Sequence, residues 1–343
     1  MGAVKNIPTF SILIPTYKGS TVIRETLESI LNQTYQDFEI IISEDCSRDG
    51  IKDVIDSYGD GRIKYFENST NVGYPTNLEF ARAHATGKYL YLVGQDDLVA
   101  KDALKNTLNA FELSPDIGAV TRPYYWFNSN EFRPVRKKKT LEKGQDTVLT
   151  MDSNPTDIIT MFSTLDQLTG LSFRSDFFDI PFHSDIFPCH VYPFASIFKK
   201  HPVVFLKDYN VAVRISTSQT RHVSSIYNVS PLLSWVELFK SVYPEPEWKG
   251  FREHMIKNFV ANNYVGLVQI RNYAKFKYLI REIIYLIKYR PSNLFSVYFW
   301  FFAFGTIIIP PFILIGLVDW YKDSVNHAII GGINFNYEPK RTN

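Results

Sequence analysis

Apolar residues in the first hundred positions follow two alternating spacings. Nearly continuous apolar runs at residues 10–14 and 38–42 are typical of strands buried on both faces of a parallel sheet. Between these runs, apolar residues recur at helical spacing over residues 23–31. The remaining predicted elements are strands at residues 63–66 and 89–93 and helices at residues 77–85 and 98–111. The alternation predicts an α/β fold, with a doubly wound sheet covered by helices on both faces.

The pattern changes near residue 226, after which helical spacing replaces the strand signals. Residues 274–289 predict a basic amphipathic helix, in which leucine and isoleucine oppose lysine and arginine. Residues 294–318 are apolar and uncharged, and about 20 such residues suffice to cross a bilayer core. Pro310 and Pro311 interrupt this run. We interpret residues 291–320 as one kinked membrane span or a re-entrant hairpin, with an apolar core hairpin as the alternative. The basic residues before the run place that flank on the cytoplasmic side.

Composition narrows the class of protein. The chain has 343 residues, 45% hydrophobic and 21% charged, which is typical of a globular protein of roughly two domains. A net charge of +2 gives no electrostatic basis for nucleic-acid binding, and two cysteines exclude a disulfide framework. The first residues lack a secretory signal pattern, so we expect the catalytic domain to be cytoplasmic. Together with the apolar segment, this predicts a protein of the cell membrane. The basic segment 129–150 is a solvated loop or a contact for anionic lipid headgroups or a lipid-linked pyrophosphate.

Two acidic turns follow predicted strands. Glu44 and Asp45 come directly after the second strand, and Asp96 and Asp97 closely follow the fourth. Ligands of doubly wound sheets bind at the carboxyl ends of the strands, so we expect both turns at one ligand-binding edge. Adjacent carboxylates suit Mg²⁺ or Mn²⁺ bound jointly with a diphosphate. The plainer interpretation is that Asp49 and Asp97 only cap the helices that follow them.

Five further segments accompany these turns: SILIPTY at 11–17, LESILNQTY at 27–35, FEIII at 38–42, NVG at 71–73 and ATGKY at 85–89. Together with the acidic turns, they resemble the nucleotide-sugar half of the inverting family-two glycosyltransferases of GT-A fold. The match is strong over about the first third of the chain and looser over the next third. The resemblance implies a GT-A sheet, a UDP- or dTDP-sugar donor, a divalent metal (Mg²⁺ or Mn²⁺) and inversion at the anomeric carbon.

The resemblance also implies roles for individual residues. Asp45 matches the aspartate that contacts the uracil or thymine edge, and Asp96 matches the metal-binding member of the family's DxD motif. We expect Asp97 to be a second metal ligand. Gly94 stands where the motif often carries its first aspartate, so we expect poor metal affinity without the nucleotide. The other residues expected to bind the donor are Pro15, Thr16, Tyr17, Glu44, Asn71, Gly73, Asn77 and Gln95.

The acceptor half matches less closely. Residues 167–174, with Gly170, look like the family's glycine-bearing acceptor segment. Twenty residues beyond Gly170, the family places an acidic pair whose aspartate takes the acceptor's hydroxyl proton, but here His190 occupies that place and no carboxylate is present. Because an imidazole titrates near neutral pH, His190 is a candidate base, with Asp185 and Asp166 as alternatives. The plainer interpretation of His190 is a structural histidine.

The predicted organisation has four parts. Residues 1–225 form the catalytic domain, with a nucleotide-sugar half (1–115) and an acceptor half (116–225). A helical region (226–290), the apolar segment (291–320) and a tail (321–343) follow. Arg214 and Arg221, near the end of the catalytic domain, are candidates to pair with the donor pyrophosphate.

The sequence therefore predicts a membrane-bound glycosyltransferase that moves one sugar to a polyprenyl-linked saccharide at the cytoplasmic face. Two alternatives stay open: transfer directly to polyprenyl phosphate, which needs no base, and a catalytically impaired scaffold that binds nucleotide sugars. The sequence lacks the Gln-x-x-Arg-Trp motif of processive synthases, which argues against a polymerising synthase. The donated sugar, the acceptor linkage and the oligomeric state, including a homo-oligomer, also stay open.

Overall fold

Strands and helices alternate through the first part of the protein, and helices alone follow. The computed structural model describes residues 7–128, 133–215, 224–321, 333 and 335–337. Within them the strands are β1 Phe10–Thr16, β2 Phe38–Glu44, β3 Ile63–Glu67, β4 Tyr89–Leu92, β5 Leu98–Val99, β6 Ala119–Thr121, β7 Tyr125–Asn128, β8 Arg133–Lys137, β9 Thr147–Leu149, β10 Ser172–Arg174, β11 Val203–Phe205 and β12 Val211–Arg214.

The helices of the first part lie between these strands, and the rest follow β12. The first six are α1 Ile23–Leu31, α2 Ile51–Asp56, α3 Tyr74–Ala83, α4 Ala103–Glu112, α5 Pro155–Ser163 and α6 Val191–Lys200. The later ones are α7 Pro231–Val242, α8 Lys249–Asn258, α9 Val265–Tyr273, α10 Phe276–Tyr289, α11 Val297–Ile308 and α12 Pro311–Trp320.

The main sheet is mixed, with the strand order β3-β2-β1-β4-β10-β6-β11-β9. Strands β3, β2, β1 and β4 are parallel, whereas β10 runs antiparallel between β4 and β6. Every residue of β1, β2 and β4 is buried. Burial on both faces explains why their sequences are nearly continuous apolar runs instead of alternating ones. The predicted α/β mixed-sheet fold is confirmed.

A second, smaller sheet explains one difference from the sequence prediction. The sequence pattern predicts a helix from residue 98, but Leu98 and Val99 form β5, which pairs antiparallel with Ala212 and Val211 of β12. Helix α4 begins only at Ala103. Asp97 is therefore not a helix cap, and its carboxylate serves another purpose, described below.

The chain divides into two compact units. The first comprises Met1–Phe127, Lys137–Arg214 and Gly332–Asn343, and it contains the whole main sheet. The second comprises Asn128–Arg136 and Ile215–Gly331 and is mainly helical. The structure changes unit after Arg214, and the predicted four-part organisation, with its boundary at residue 225, stays a prediction.

Within the second unit, the long apolar run is broken where the sequence has its proline pair. Helix α11 ends at Ile308 and helix α12 begins at Pro311, because the proline ring removes a helical hydrogen bond and clashes with the preceding turn. Among the residues described, no helix combines the length and the apolar character needed to cross a bilayer. The prediction of a membrane-spanning or re-entrant segment therefore stays unconfirmed.

Candidate active site

The two acidic turns lie at the same edge of the main sheet, on either side of the end of β1. The Asp45 N–H donates to the Thr16 carbonyl (2.9 Å), which ties the β2 turn to β1. On the other side, the Tyr17 N–H donates to Gln95 Oε1 (2.9 Å), and Gln95 Nε2 donates to the Tyr17 carbonyl (3.0 Å). Since β2, β1 and β4 are neighbours, the two turns are separated by two strand spacings, about 10 Å. Residues predicted for the donor are thus brought together at this edge.

The carboxylate of Asp45 organises the loop before α3. It is buried and accepts hydrogen bonds from the Val72 N–H (2.7 Å), the Gly73 N–H (2.9 Å) and Asn68 Nδ2 (3.1 Å). Asn71 Nδ2 adds a bond to the Asp45 carbonyl (3.2 Å). Gly73 has a φ of +84°, a conformation that residues with a side chain rarely adopt. These bonds hold the Asp45 carboxylate against the loop before α3.

Three other residues predicted to bind the donor lie beneath this edge and support it. The Thr16 hydroxyl donates to Glu44 Oε2 (2.5 Å), and Glu44 Oε1 accepts from the Ser47 N–H (2.8 Å). Asn77 Nδ2 donates to the carbonyls of Ser43 (2.8 Å) and Thr16 (3.2 Å). Thr16, Glu44 and Asn77 are all buried, as is the strand residue Pro15. Their contacts place them in the scaffold that positions Asp45.

The structure explains the glycine at the first position of the acidic motif. A Cβ at Gly94 would lie 2.9 Å from Asp97 Oδ2 and 3.3 Å from Thr169 Oγ1, so a side chain there would displace the Asp97 carboxylate. Asp97 is buried, and it accepts hydrogen bonds from the Thr169 hydroxyl (2.5 Å) and the Arg214 N–H (3.0 Å). Burial, together with the charge of Asp96, raises the pKa of Asp97 to about 7.

Arg214 lies against the acidic turn, and its pairing with the donor phosphates stays a prediction. Its Nε donates to the Asp96 carbonyl (2.9 Å), and its guanidinium pairs with Glu25 of α1. The guanidinium carbon also lies 4.8 Å from the centre of the Phe127 ring. Arg214 is buried, so its orientation is fixed by these contacts. Arg221 lies outside the described residues.

The acidic turn fits a divalent cation, though with few ligands from the protein. Among the described residues, no group of three or more His, Cys, Asp or Glu side chains is arranged to hold a metal. Asp96 and Asp97 offer hard carboxylate oxygens, and a cation would offset the burial and the Asp96 charge that raise the pKa of Asp97. The expected weak metal affinity of the protein alone stays a prediction.

A buried arginine that the sequence analysis missed holds the acceptor segment in place. Arg122 donates through Nε to the Thr169 carbonyl (2.5 Å), through Nη1 to the Thr164 carbonyl (3.2 Å) and through Nη2 to the Gln167 carbonyl (2.8 Å). Gly170 follows with a φ of +82°, and a Cβ there would lie 2.6 Å from Val211 Cγ2. Because Thr169 also bonds Asp97, Arg122 links the acceptor segment to the acidic turn.

His190 lies buried on the far side of the same segment. Its Nε2 donates to the Leu165 carbonyl (2.8 Å), and its Nδ1 faces the Tyr74 hydroxyl (3.4 Å) and Cys189 Sγ (3.8 Å). Burial lowers the pKa of His190 to about 4, outweighing the bond to Leu165, so the imidazole is neutral near pH 7. These contacts are those of a structural histidine, and its assignment as base stays a prediction.

The two alternative bases differ in their surroundings. Asp166 is exposed, accepts a hydrogen bond from the Tyr124 hydroxyl (2.5 Å) and pairs with Lys138 Nζ (2.8 Å). It follows Leu165 in the segment held by Arg122. Asp185 lies in the loop before α6, where its carboxylate accepts the Phe187 N–H (3.1 Å). Of these two carboxylates, Asp166 belongs to the segment that contacts the acidic turn.

Solved structures share the fold of this chain. The amino-terminal part of TarS from S. aureus, solved in complex with UDP-GlcNAc, aligns over 92% of both chains with a TM-score of 0.64 and 17% identity. With its mixed sheet and the acidic turns at one edge, the chain is a glycosyltransferase with a GT-A-like fold.

Sequence comparisons then identify the family. A family model described as glycosyl transferase family 2 matches residues 11–168. An uncharacterized glycosyltransferase of Haemophilus influenzae is 30% identical over 172 residues, which are 49% of this chain and 67% of the relative. GalNAc(5)-diNAcBac-PP-undecaprenol beta-1,3-glucosyltransferase of Campylobacter jejuni is 31% identical over 105 residues, 30% of this chain and 34% of that protein's own length. The chain belongs to glycosyl transferase family 2.

Proposed function

We propose that this enzyme transfers one sugar from a UDP- or dTDP-sugar to a polyprenyl-linked saccharide at the cytoplasmic face of the cell membrane, in the synthesis of a cell-surface polysaccharide. The observation that carries the proposal is the pair of acidic turns on either side of Tyr17. The base of a nucleotide would contact Asp45, and its diphosphate would lie near Asp96 and Arg214. A UDP-GlcNAc complex of a protein with this fold and a relative named for an undecaprenol-linked acceptor support the choice of substrates.

The chemistry follows from this arrangement. The acceptor oxygen attacks the anomeric carbon from the face opposite the diphosphate, and the bond between that carbon and the diphosphate oxygen breaks. The nucleoside diphosphate leaves with the electron pair, while the hydroxyl proton passes to a base. Mg²⁺ or Mn²⁺, held by Asp96 and Asp97, would neutralise the charge that develops on the leaving diphosphate. Arg214 positions this turn through the Asp96 carbonyl and the Asp97 carboxylate.

A second candidate acceptor is polyprenyl phosphate itself. The observation that favours it is the placement of His190, whose Nε2 proton is donated to Leu165 and whose low pKa suits proton removal near pH 7 poorly. An ionised phosphate needs no base. With a saccharide acceptor, Asp166→Asn should lower turnover, because Asp166 is an exposed carboxylate directly before the acceptor segment. If neither Asp166→Asn nor His190→Gln lowers turnover and polyprenyl phosphate is consumed, the second candidate is supported.

The deciding experiment measures released nucleotide and product mass. Purified protein is incubated with single UDP- and dTDP-sugars and either undecaprenyl-linked saccharides or undecaprenyl phosphate, with Mn²⁺ or with a chelator. We expect metal-dependent release that Asp96→Ala abolishes. Asp53→Ala, which removes an exposed carboxylate from α2, is the matched control and should retain turnover. Nucleotide-sugar binding without turnover on any acceptor would refute the proposal and support a scaffold.

A further inference from the structure

Helices α11 and α12, with the turn before them, present an unusually large exposed apolar surface. Phe301 is 72% exposed and Phe312 is 76% exposed. We call this surface, formed by the exposed apolar residues of 294–321, the aromatic face. Its other large members are Leu294, Phe295, Val297, Tyr298, Phe304, Ile308, Ile313, Leu317, Trp320 and Tyr321. A contiguous apolar stretch of this size marks an interaction site, whereas scattered single residues do not.

The opposite side of the same helices is fixed to the protein. Phe299, Ala303 and Thr306 of α11 and Leu314 of α12 are buried, and Tyr264 contacts the Phe299 ring at 5.6 Å between centroids. At the break between the helices, Arg271 Nε donates to the Ile309 carbonyl (3.2 Å), a group that the proline pair leaves without a helical partner. The aromatic face is therefore held outward by a rigid support.

The charge of the neighbouring segment and the lengths of α11 and α12 indicate which kind of partner covers the aromatic face. Residues 271–290, directly before the aromatic face, carry six basic side chains and one acidic one, Glu282, which is buried. Lys277 and Lys288 on α10, and Lys275 directly before it, are exposed. An apolar surface rich in aromatic residues beside cationic side chains is complementary to an anionic bilayer surface. Helix α11 is 12 residues long and α12 is 10, about 18 and 15 Å, so neither helix alone reaches the about 30 Å of a span, and each has one side buried against the protein.

We propose that the aromatic face inserts into the headgroup region of an anionic phospholipid bilayer, with α11 and α12 lying in the plane of the membrane and not crossing it. The inference rests on the proposed function in that a polyprenyl-linked acceptor places the enzyme at a bilayer. The inference goes further because it specifies which surface contacts the membrane, the charge of the lipid and the depth of insertion, none of which follows from the acceptor chemistry. The exposed lysines of α10 would contact the anionic headgroups.

The test is flotation of the full chain with vesicles of phosphatidylglycerol or of phosphatidylcholine alone. We expect binding to phosphatidylglycerol vesicles, with the bound fraction reduced roughly tenfold or more by Phe301→Glu with Phe312→Glu. Leu113→Glu, a matched change of one exposed apolar residue after α4, should float like the unchanged chain. Equal binding to both vesicles, or flotation of the double variant, would overturn the inference.

Two further measurements separate this inference from other outcomes. Asp96→Ala should float normally although it releases no nucleotide, and the Phe301/Phe312 variant should still bind UDP, so the failure of either proposal is recognisable by itself. Phospholipids brominated near the headgroup should quench the fluorescence of Trp300 and Trp320 more than phospholipids brominated at mid-bilayer. The reverse order would contradict an in-plane position. Dimerisation that the double variant abolishes, without any vesicle binding, would assign the aromatic face to a second copy of the chain instead.

Discussion

The buried guanidinium of Arg122 offers a strong test of how the site is assembled. Arg122 is 1% exposed and donates to the carbonyls of Thr164, Gln167 and Thr169. In Arg122→Met, a side chain of similar length loses all three bonds. The carbonyls of a segment that should lie beside the acceptor are then left without their donor.

The cost can be worked from these contacts. A buried carbonyl without a partner costs about 1–3 kcal/mol, and simple addition over three would give about 3–9 kcal/mol. Methionine also removes the desolvation cost of a buried cation, which offsets part of that sum. We therefore expect the free energy of unfolding to fall by about 3–5 kcal/mol. For a unit of this size, the melting temperature should drop by roughly 10 °C.

Urea unfolding, with UDP-sugar binding measured on the folded variant, checks this reasoning. The control is Arg62→Met, because Arg62 pairs with Asp60 at a more exposed site and should contribute about 1 kcal/mol, less than the cost expected at Arg122. Since Thr169 links Arg122 to Asp97, Arg122→Met and Thr169→Val should be non-additive. If Arg122→Met costs no more than Arg62→Met, the proposed anchoring of the acceptor segment is wrong.

Two further predictions concern backbone conformation and pH. Gly170→Ala should lower the free energy of unfolding, measured in urea, by about 2–4 kcal/mol, because φ is +82° and the new methyl would meet Val211. The control is Gly144→Ala, which has a φ of +65° but lies in open space and should cost about 1 kcal/mol. His190 has its pKa lowered from 6.5 to about 4 by burial, so the unfolded chain binds the extra proton more readily. The stability that this provides should be full above pH 6.5 and lost as the pH falls toward 4, by about 3 kcal/mol. His190→Gln should flatten that part of the stability profile, and parallel profiles would contradict the assigned burial.

Several elements could be predicted from the sequence because their signals are local. Strands β1, β2 and β4 are buried on both faces, and such burial leaves a continuous apolar run in any sequence. The break in the apolar segment followed from Pro310 and Pro311, whose effect acts within one helical turn. The acidic turns were predictable as one edge because the carboxyl ends of neighbouring parallel strands lie together.

Other features depended on residues far apart in the chain. Leu98 and Val99 carry a helical pattern, but β12, more than a hundred residues later, makes them a strand. Nothing in the sequence distinguishes Arg122 from a surface arginine, because its carbonyl partners surround it only in the folded protein. The hydrogen bonds that Glu44 and Asn77 form with Thr16 and Ser43 were likewise not predictable, because these residues meet only in the folded protein.

What the sequence determined by itself was therefore the α/β order of the first hundred residues, the break in the apolar segment and the chemistry available at the sheet edge. Only the tertiary structure decided which of those polar groups lie at the sheet edge and which form hydrogen bonds within the scaffold. The physical reason is that periodicity and turn preference depend on neighbours within one element, whereas burial and hydrogen-bond partners depend on segments that meet only after folding.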